Sequence, residues 1–348
     1  MKVSDRAALW HRFVFPLGLA GSLLLGCVPL QVLEPVETLW VYQDSDWKSL
    51  KHRRLLDVDA ITESSFVLEH VNPKVCLVSV SEVGVSAEQF FDESRGGVGK
   101  TLWRRGFSVL SLSIPRVTLE QNSWRSLALE HLNEVVDVYL GRCKGKPIVG
   151  IGHGIGGSLL LEPSLNSKLS GVVLLAVPLT YAGTSIATQK LLGSPTDWAW
   201  RDLVAYPVPA NFSGSTTMEE VVVTNQSSSK IRFEFYRAES MTLPLAFRKA
   251  LASEVSEVTD LTIRPEVQSW LYGTQPAFIV LPSGNGWVTT WQADPIALGA
   301  PPSRAKRLYI TRANGSSREF NHFDILWDDD ALSEVWRPVT RWLRETNF

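Results

Sequence analysis

The sequence predicts an α/β fold built on a doubly wound, mostly parallel sheet. From residue 74 to the C-terminus, short runs that are apolar throughout alternate with segments of helical periodicity. Runs without a polar face suit strands of a parallel sheet that helices cover on both sides. With 348 residues, 45% of them hydrophobic and 20% charged, the chain can bury one large core.

Six apolar runs are the predicted core strands. They are residues 75–80, 108–114, 147–151, 171–177, 277–281 and 307–311. Two shorter apolar pieces, at 38–42 and 65–69, predict edge strands ahead of this core, with the charged stretch 48–54 between them.

Helical periodicity is clearest between the second and third core strands. Over residues 123–140, Leu127, His131, Val135 and Val138 recur at near-helical spacing and predict the buried face of a helix. A second helix is predicted at 332–343, where it closes the chain.

The segment 181–272 interrupts the alternation of strands and helices. It contains Ser- and Thr-rich clusters and one helical piece near 244–255. About 90 residues is too long for a plain loop between two core strands. We therefore predict an inserted lid or cap over about 181–272.

A glycine-rich turn follows the third core strand. Gly152, His153, Gly154, Ile155 and Gly156 fill every position of the nucleophile elbow Gly-x-Ser-x-Gly except that of the serine. The outer glycines suit a sharp strand-to-helix turn without room for side chains. With this motif the chain resembles the α/β-hydrolase superfamily over roughly residues 74–345, which implies the α/β-hydrolase fold.

The resemblance also implies positions for a general base and an acid. His322, in the segment 319–327 ahead of the final helix, stands where the family has its base, and this segment looks like those of polyhydroxyalkanoate-synthase-like and lipase-like members. The acid position after strand 277–281 holds Asn285, and Asp294 is a second candidate several residues later. No acid follows Val177, and the loop at 81–84 reads Ser-Glu-Val-Gly instead of the expected His-Gly.

Gly154 offers no nucleophile, and loss of the serine from a working triad costs about a millionfold in turnover. The first hypothesis is therefore a pseudoenzyme, a degenerate α/β-hydrolase that binds a small apolar ligand or an envelope protein. The second is an ester or lipid hydrolase with His322 as general base and a relocated nucleophile. The candidate nucleophiles are Ser79, Ser81, Ser158 and Ser283. The third is a purely structural envelope protein.

The N-terminus predicts a cleaved lipoprotein leader. Basic residues between Lys2 and Arg12 precede an apolar run at 13–26 and then Cys27. That run rises about 21 Å as a helix, short of the roughly 30 Å hydrocarbon core of a bilayer. Residues 24–27, Leu-Leu-Gly-Cys, resemble the bacterial lipobox, which implies cleavage after Gly26 and acylation of Cys27.

The predicted organisation is a signal peptide at 1–26, a tether with edge strands at 27–73 and the hydrolase-like domain at 74–348. Acylated Cys27 would anchor the chain in the bacterial cell envelope. Because Val28 rather than an aspartate follows it, analogy with lipoprotein sorting favours the outer membrane over the inner.

Composition and motifs argue against several other functions. The formal charge of −2 gives no basis for a nucleic-acid partner. Residues 95–101 resemble a phosphate loop, but a polar segment rather than a buried strand precedes them, so no nucleotide is expected.

The histidines and cysteines predict no cofactor. His52, His70 and His131 show no metal-ligand spacing, and His153 is interpreted as a packing residue at the turn, so no metal is expected. The apolar run around Cys76 favours a buried free thiol, although a bridge to Cys143 stays open.

Overall fold

The computed structural model describes residues 39–43, 46–50, 65–85, 87–91, 97–182, 184, 244–257, 263–285 and 288–348. All of them belong to one compact unit, Glu37–Phe348. The predicted leader, Cys27 and most of the predicted lid lie outside the described residues.

In the described part of the chain, nine strands form one sheet in the order β2-β1-β3-β5-β4-β6-β7-β8-β9. Strands β4 to β9 run parallel to one another, whereas β1, β2 and β3 add an antiparallel edge next to β5. The strands are β1 Leu39–Gln43, β2 Asp46–Leu50, β3 Ser65–Leu68, β4 Cys76–Val80, β5 Ser108–Leu112, β6 Ile148–His153, β7 Gly171–Leu175, β8 Ala277–Pro282 and β9 Lys306–Ile310. The predicted mostly parallel sheet is confirmed.

Helices follow most of the parallel strands. They are α1 Gly99–Arg104, α2 Arg116–Leu119, α3 Trp124–Arg142, α4 Gly154–Leu160, α5 Pro163–Asn166, α6 Leu245–Glu257, α7 Pro265–Leu271, α8 Thr290–Ala293, α9 Asp324–Trp327 and α10 Arg337–Glu345. A π-helical turn, Leu332–Trp336, precedes α10, and Pro338 near the junction has no N–H with which to continue a regular ladder. Among the described residues no helix combines the length and apolar character needed to cross a membrane.

Strand β2 was not predicted from the sequence. It occupies part of the charged stretch 48–54 and pairs with β1 in antiparallel register. A strand at the edge of a sheet does not need an apolar pattern, because part of its surface meets solvent. The charged residues of this stretch therefore gave no sequence signal for a strand.

Only part of the predicted face of α3 is buried: Val135 lies in the core, but Leu127 and Val138 do not. Leu127 is 37% exposed and Val138 is 39% exposed. The side of α3 that packs into the core instead carries the buried residues Trp124, Ala128, Leu132, Val135, Val136 and Tyr139. A shift of one position turns a helix by about 100°, so two nearly equivalent apolar stripes on one helix are easily exchanged.

Cys76 and Cys143 form a disulfide. Cys76 begins β4, Cys143 directly follows α3, and their Cα atoms lie 6.3 Å apart. Both residues are buried. The preference for a free thiol at Cys76 was therefore wrong, because the sequence does not reveal that the end of α3 returns to the start of β4.

A cluster of charged side chains attaches α6 to the body of the fold. Arg125 of α3 contacts Glu162 at 3.2 Å and Glu254 of α6 at 2.9 Å. Arg264 contacts Glu266 and donates to the Tyr181 hydroxyl at 3.3 Å. These contacts connect α6 and α7, in the C-terminal part of the predicted lid, to α3 and to the segment that follows β7.

Candidate functional site

The glycine-rich motif forms the sharp turn that the sequence predicts. Strand β6 ends at His153, and α4 begins at Gly154, whose φ of +51° lies in the left-handed region that favours glycine. A Cβ on Gly156 would overlap the backbone carbonyls of Val80 and Ser81. Helix α4 can therefore begin in close contact with the end of β4 only because Gly156 has no side chain.

The side chain of Glu82 lies against Gly154, the position at which the elbow pattern has a serine. This fully buried residue follows β4 by two positions. Its Oε1 accepts hydrogen bonds from the backbone N–H groups of Val83 at 2.8 Å and Ile155 at 3.1 Å, and its Oε2 lies 3.2 Å from the Ile155 nitrogen. A Cβ on Gly154 would overlap Oε2.

The two amides that bind Glu82 correspond to an oxyanion hole. In the α/β-hydrolase pattern that site uses two backbone N–H groups. One belongs to the residue after the nucleophile, and the other belongs to a loop after a neighbouring central strand, which is β4 in this chain. Ile155 and Val83 occupy those two positions. One carboxylate therefore fills the nucleophile position and the oxyanion position together.

His322 lies against the same carboxylate. Its Nε2 is 3.0 Å from Glu82 Oε2, and it would be 3.0 Å from a Cβ on Gly154. Reciprocal hydrogen bonds between Asn321 and Asp324 fix the loop that carries it: Asn321 Oδ1 accepts from the Phe323 and Asp324 amides, and Asp324 Oδ2 accepts from the Asn321 amide. The structure thus brings the predicted base to the elbow.

Asn285 contacts the other ring nitrogen of His322. Its Nδ2 is 3.0 Å from His322 Nδ1, while its Oδ1 accepts from the Val288 amide at 3.0 Å. Because Oδ1 is used by Val288, Nδ2 donates to Nδ1, and this network assigns the ring proton to Nε2. His322 Nε2–H therefore donates to Glu82, the reverse of a serine triad, in which Nε2 accepts.

His153 packs beside His322 with its ring centre 4.4 Å away. Its Nε2 is 2.9 Å from the backbone oxygen of His322 and donates to it. Its Nδ1 is buried and has no hydrogen-bond partner among the described residues. The predicted packing role accounts for the ring but leaves this nitrogen unexplained.

Burial dominates the electrostatics of the site. It raises the pKa of Glu82 from 4.5 to about 7, although His153 and the Val83 and Ile155 amides act in the opposite direction. Burial also lowers the pKa of His322 from 6.5 to about 3. The pKa of His153 falls to about 3 for the same reason, with a further contribution from His322. Both imidazoles are neutral at physiological pH.

Asp294, the second candidate for the acid, does not contact His322. Its Oδ2 is 3.0 Å from Arg307 Nη1 and hydrogen-bonds to the Tyr309 hydroxyl, and its Oδ1 accepts from the Ile296 amide. These bonds direct the carboxylate towards the side chains of β9. Asp294 is therefore corrected to a structural residue, and Asn285 is the partner of His322.

Two of the candidate serines are engaged with backbone carbonyls. Ser158 Oγ donates to the Pro178 oxygen at 3.4 Å, and Ser283 Oγ donates to the Ile310 oxygen at 2.9 Å. Neither hydroxyl has a hydrogen bond to His322 among the described contacts. The two other candidates, Ser79 and Ser81, are buried on and just after β4.

Glu82 is the site residue that the sequence analysis missed. The loop at 81–84 was interpreted only as lacking the expected His-Gly, so its glutamate received no role. The available signal was an acidic residue placed two positions after a largely apolar strand, in a chain that has glycine where the elbow pattern has serine.

The structure is similar to solved structures of esterases and of a lactonase. A carboxyl esterase from Bacillus coagulans is similar in structure, with a TM-score of 0.55 at 12% identity over 81% of this chain and 93% of the esterase. The chain has the α/β-hydrolase fold. Carboxylesterases from Nitrososphaera gargensis are represented by a similar structure with a TM-score of 0.51 at 12% identity, covering 81% of this chain and 96% of the other.

A third α/β-hydrolase-fold structure, the N-acyl homoserine lactonase AidH, has a TM-score of 0.50 at 14% identity over 82% of this chain and 96% of the lactonase. No protein-family model matches the sequence, and no curated protein matches it either. At these identities the likeness concerns the α/β-hydrolase fold alone.

Proposed function

We propose that this protein is a lipid-anchored protein of the bacterial cell envelope whose α/β-hydrolase domain is inactive in acyl hydrolysis. Its role is to bind a small apolar ligand or an envelope protein. The observation that carries the proposal is the Glu82 carboxylate, which accepts hydrogen bonds from the Val83 and Ile155 amides and lies against His322.

Two losses support inactivity. Gly154 supplies no nucleophile, and removal of a triad nucleophile costs about a millionfold in turnover. The amides that would stabilise an oxyanion are hydrogen-bonded to Glu82, and loss of even one such donor costs roughly a hundredfold to a thousandfold. A carboxylate in that position also repels the negative charge that develops in acyl transfer.

The alternative, a hydrolase with a relocated nucleophile and His322 as base, has less support. A general base must offer a lone pair to the proton that it removes. His322 Nε2 carries a proton directed at Glu82, and Nδ1 accepts from Asn285. A serine activated by His322 would require both contacts to reorganise.

Activity-based labelling tests the proposed inactivity. The chain with Cys27→Ser would be incubated with a fluorophosphonate probe and with short- and medium-chain p-nitrophenyl esters. We expect no labelled serine and no hydrolysis above that of the His322→Gln variant. Specific labelling of one serine, lost in His322→Gln, would overturn the proposal in favour of the relocated nucleophile.

Two features support the envelope location. Residues 24–27 match the lipobox pattern, and disulfides such as Cys76–Cys143 persist mainly in oxidising, exported compartments. The test is metabolic labelling with radioactive palmitate, with Cys27→Ala as control, followed by separation of inner and outer membranes. We expect label in the outer-membrane fraction, whereas an unlabelled, uncleaved chain would contradict the anchor.

Binding is tested separately from anchoring. The purified domain would be extracted with organic solvent for mass spectrometry of co-purified apolar molecules, and the anchored protein would be cross-linked in cells. A specific apolar compound or one envelope partner is expected. Absence of both would favour the purely structural role.

A further inference from the structure

We infer that Glu82, His153 and His322 form a binding site for one divalent transition-metal ion, with Zn²⁺ as the best-suited ion. The inference rests on the proposed function, because it takes the degenerate centre to be a binding site rather than a hydrolytic one. It specifies a ligand class for that centre and departs from the sequence-based expectation of no metal.

The first observation is that three side chains with potential metal-ligand atoms come close together. One potential ligand atom from each of the three side chains lies within 4.8 Å of the others, and all three residues are buried. Two imidazoles and one carboxylate are a donor set that zinc uses with an open fourth position. The three residues are so far apart along the chain that no ligand-spacing motif could indicate them.

The second observation concerns the polar atoms of this cluster that already have backbone hydrogen-bond partners. Glu82 Oε1 is held by the Val83 and Ile155 amides, and His153 Nε2 is held by the backbone oxygen of His322. Metal-binding histidines ordinarily donate their other ring N–H to a carbonyl or a carboxylate, which orients the ring. His153 already has this arrangement.

The third observation is the unpartnered nitrogen of His153. Since Nε2 donates to a carbonyl, Nδ1 carries a lone pair, and it has no hydrogen-bond partner among the described residues although the side chain is buried. A buried polar atom without a partner is uncommon and calls for an explanation. A cation bound between His153, Glu82 and His322 would satisfy it.

Binding requires two local adjustments. Ligand atoms around a tetrahedral zinc ion lie about 3.4 Å apart, so atoms that are up to 4.8 Å apart must approach one another by up to about 1.4 Å. The His322 proton must also move from Nε2 to Nδ1, which makes Nε2 a ligand. Asn285 then has to turn its amide so that Oδ1 accepts from Nδ1–H, and it loses its present bond from Val288.

That second adjustment gives the most discriminating variant. An aspartate at position 285 can accept from both His322 Nδ1–H and Val288 N–H. Asn285→Asp should therefore tighten zinc binding about tenfold or more, in line with the effect of outer ligands on metal affinity. It should also make the domain's melting temperature depend on zinc. A merely structural Asn285 predicts destabilisation that zinc does not reverse.

The experiment uses the chain with Cys27→Ser, unfolded in urea with EDTA and refolded with Co²⁺ or Zn²⁺, because the site is too buried for simple soaking. We expect one metal per chain after desalting and the intense visible absorption of four-coordinate Co²⁺. His153→Gln keeps a donor for the His322 carbonyl, and Glu82→Gln keeps the shape of the side chain. Both should lose the cobalt absorption.

His70→Gln is the matched control, since it removes a histidine outside the site and should retain the spectrum. Refolded protein with native circular dichroism but no bound metal and no cobalt band, in both the parent and Asn285→Asp, would overturn the inference. This outcome leaves the proposed loss of hydrolysis unaffected, because the fluorophosphonate test does not depend on metal.

Discussion

The Glu82 carboxylate contacts His322 Nε2 at 3.0 Å, on the nitrogen that faces serine in a hydrolase triad. On the opposite nitrogen, Nδ1, lies the side-chain amide of Asn285. The acidic side chain therefore contacts Nε2 of His322, and an amide contacts Nδ1. Gly154 belongs to the same arrangement, because any larger residue would overlap Glu82. Glu82, Gly154 and Asn285 form one interdependent set.

Gly154→Ser alone should destabilise the domain and create no esterase activity. The new Cβ would overlap Glu82 Oε2, and the φ of +51° disfavours a side chain. Overpacking of a tight site costs about 1–3 kcal/mol of unfolding free energy. Urea denaturation and p-nitrophenyl acetate hydrolysis measure the two effects. A stable variant that hydrolyses the ester would mean that Glu82 moves aside without cost.

The triple change Glu82→Ala, Gly154→Ser and Asn285→Asp should produce a serine that reacts with a fluorophosphonate. Removal of Glu82 frees the Val83 and Ile155 amides, and the aspartate draws the His322 proton to Nδ1, so that Nε2 can accept from the new hydroxyl. Labelling is measured by intact mass.

The control adds His322→Gln to the triple change and should reduce the labelling rate by two orders of magnitude or more. The double change Glu82→Ala and Gly154→Ser, which keeps Asn285, should also react more slowly than the triple variant. Equal labelling with and without His322 would show that the new serine is not part of a triad.

The pH dependence of stability should reveal Glu82 in the metal-free protein. Its folded pKa of about 7 lies above 4.5, so its contribution to stability is complete below pH 4.5 and is lost as the pH rises through 7. His153 and His322, with folded pKa values of about 3, contribute stability above pH 6.5 that is lost as the pH falls towards 3.

Between pH 4.5 and 6.5 the unfolded chain binds two protons at these histidines, whereas the folded chain binds one at Glu82. Stability should therefore fall by about 1.4 kcal/mol per unit of decreasing pH from these groups. In Glu82→Gln the folded chain has no protonated group among these residues, whereas the unfolded chain still binds two protons at the histidines. The slope of stability against pH should therefore roughly double. Urea titrations at several pH values with EDTA compare the two proteins, and parallel slopes would rule out titration of Glu82 in this range.

Much of the fold could be predicted because its main signal is local. The central parallel strands are buried along their length and are mostly apolar, as in β7 and β8. Strand β2 was missed because an edge strand tolerates charge. The buried face of α3 was misplaced because Leu127 and Val138 form a second apolar stripe that periodicity alone does not distinguish.

Only part of the site could be predicted. Gly154 and His322 were found because a family pattern fixes their order along the chain. Glu82 was missed because its role depends on a contact with a residue 240 positions away, which no local pattern encodes. Asp294 was considered as the acid because it lies near Asn285 in the sequence. The sequence gave no indication that Arg307 and Tyr309 bind the carboxylate of Asp294.

The Cys76–Cys143 disulfide should be measurable as the absence of reactive thiols in the mature chain with Cys27→Ser under denaturing, non-reducing conditions. It closes a loop with a sequence separation of 67 residues, so chain-entropy arguments give a stabilisation of about 4 kcal/mol. Cys76→Ala with Cys143→Ala should lower the unfolding free energy by roughly that amount, and reduction of the parent should have the same effect. Because reduction should leave the double variant unchanged, that variant isolates the bridge from other effects of the reductant. Two free thiols in the oxidised parent would refute the pairing, and with it one of the two supports for export of this domain.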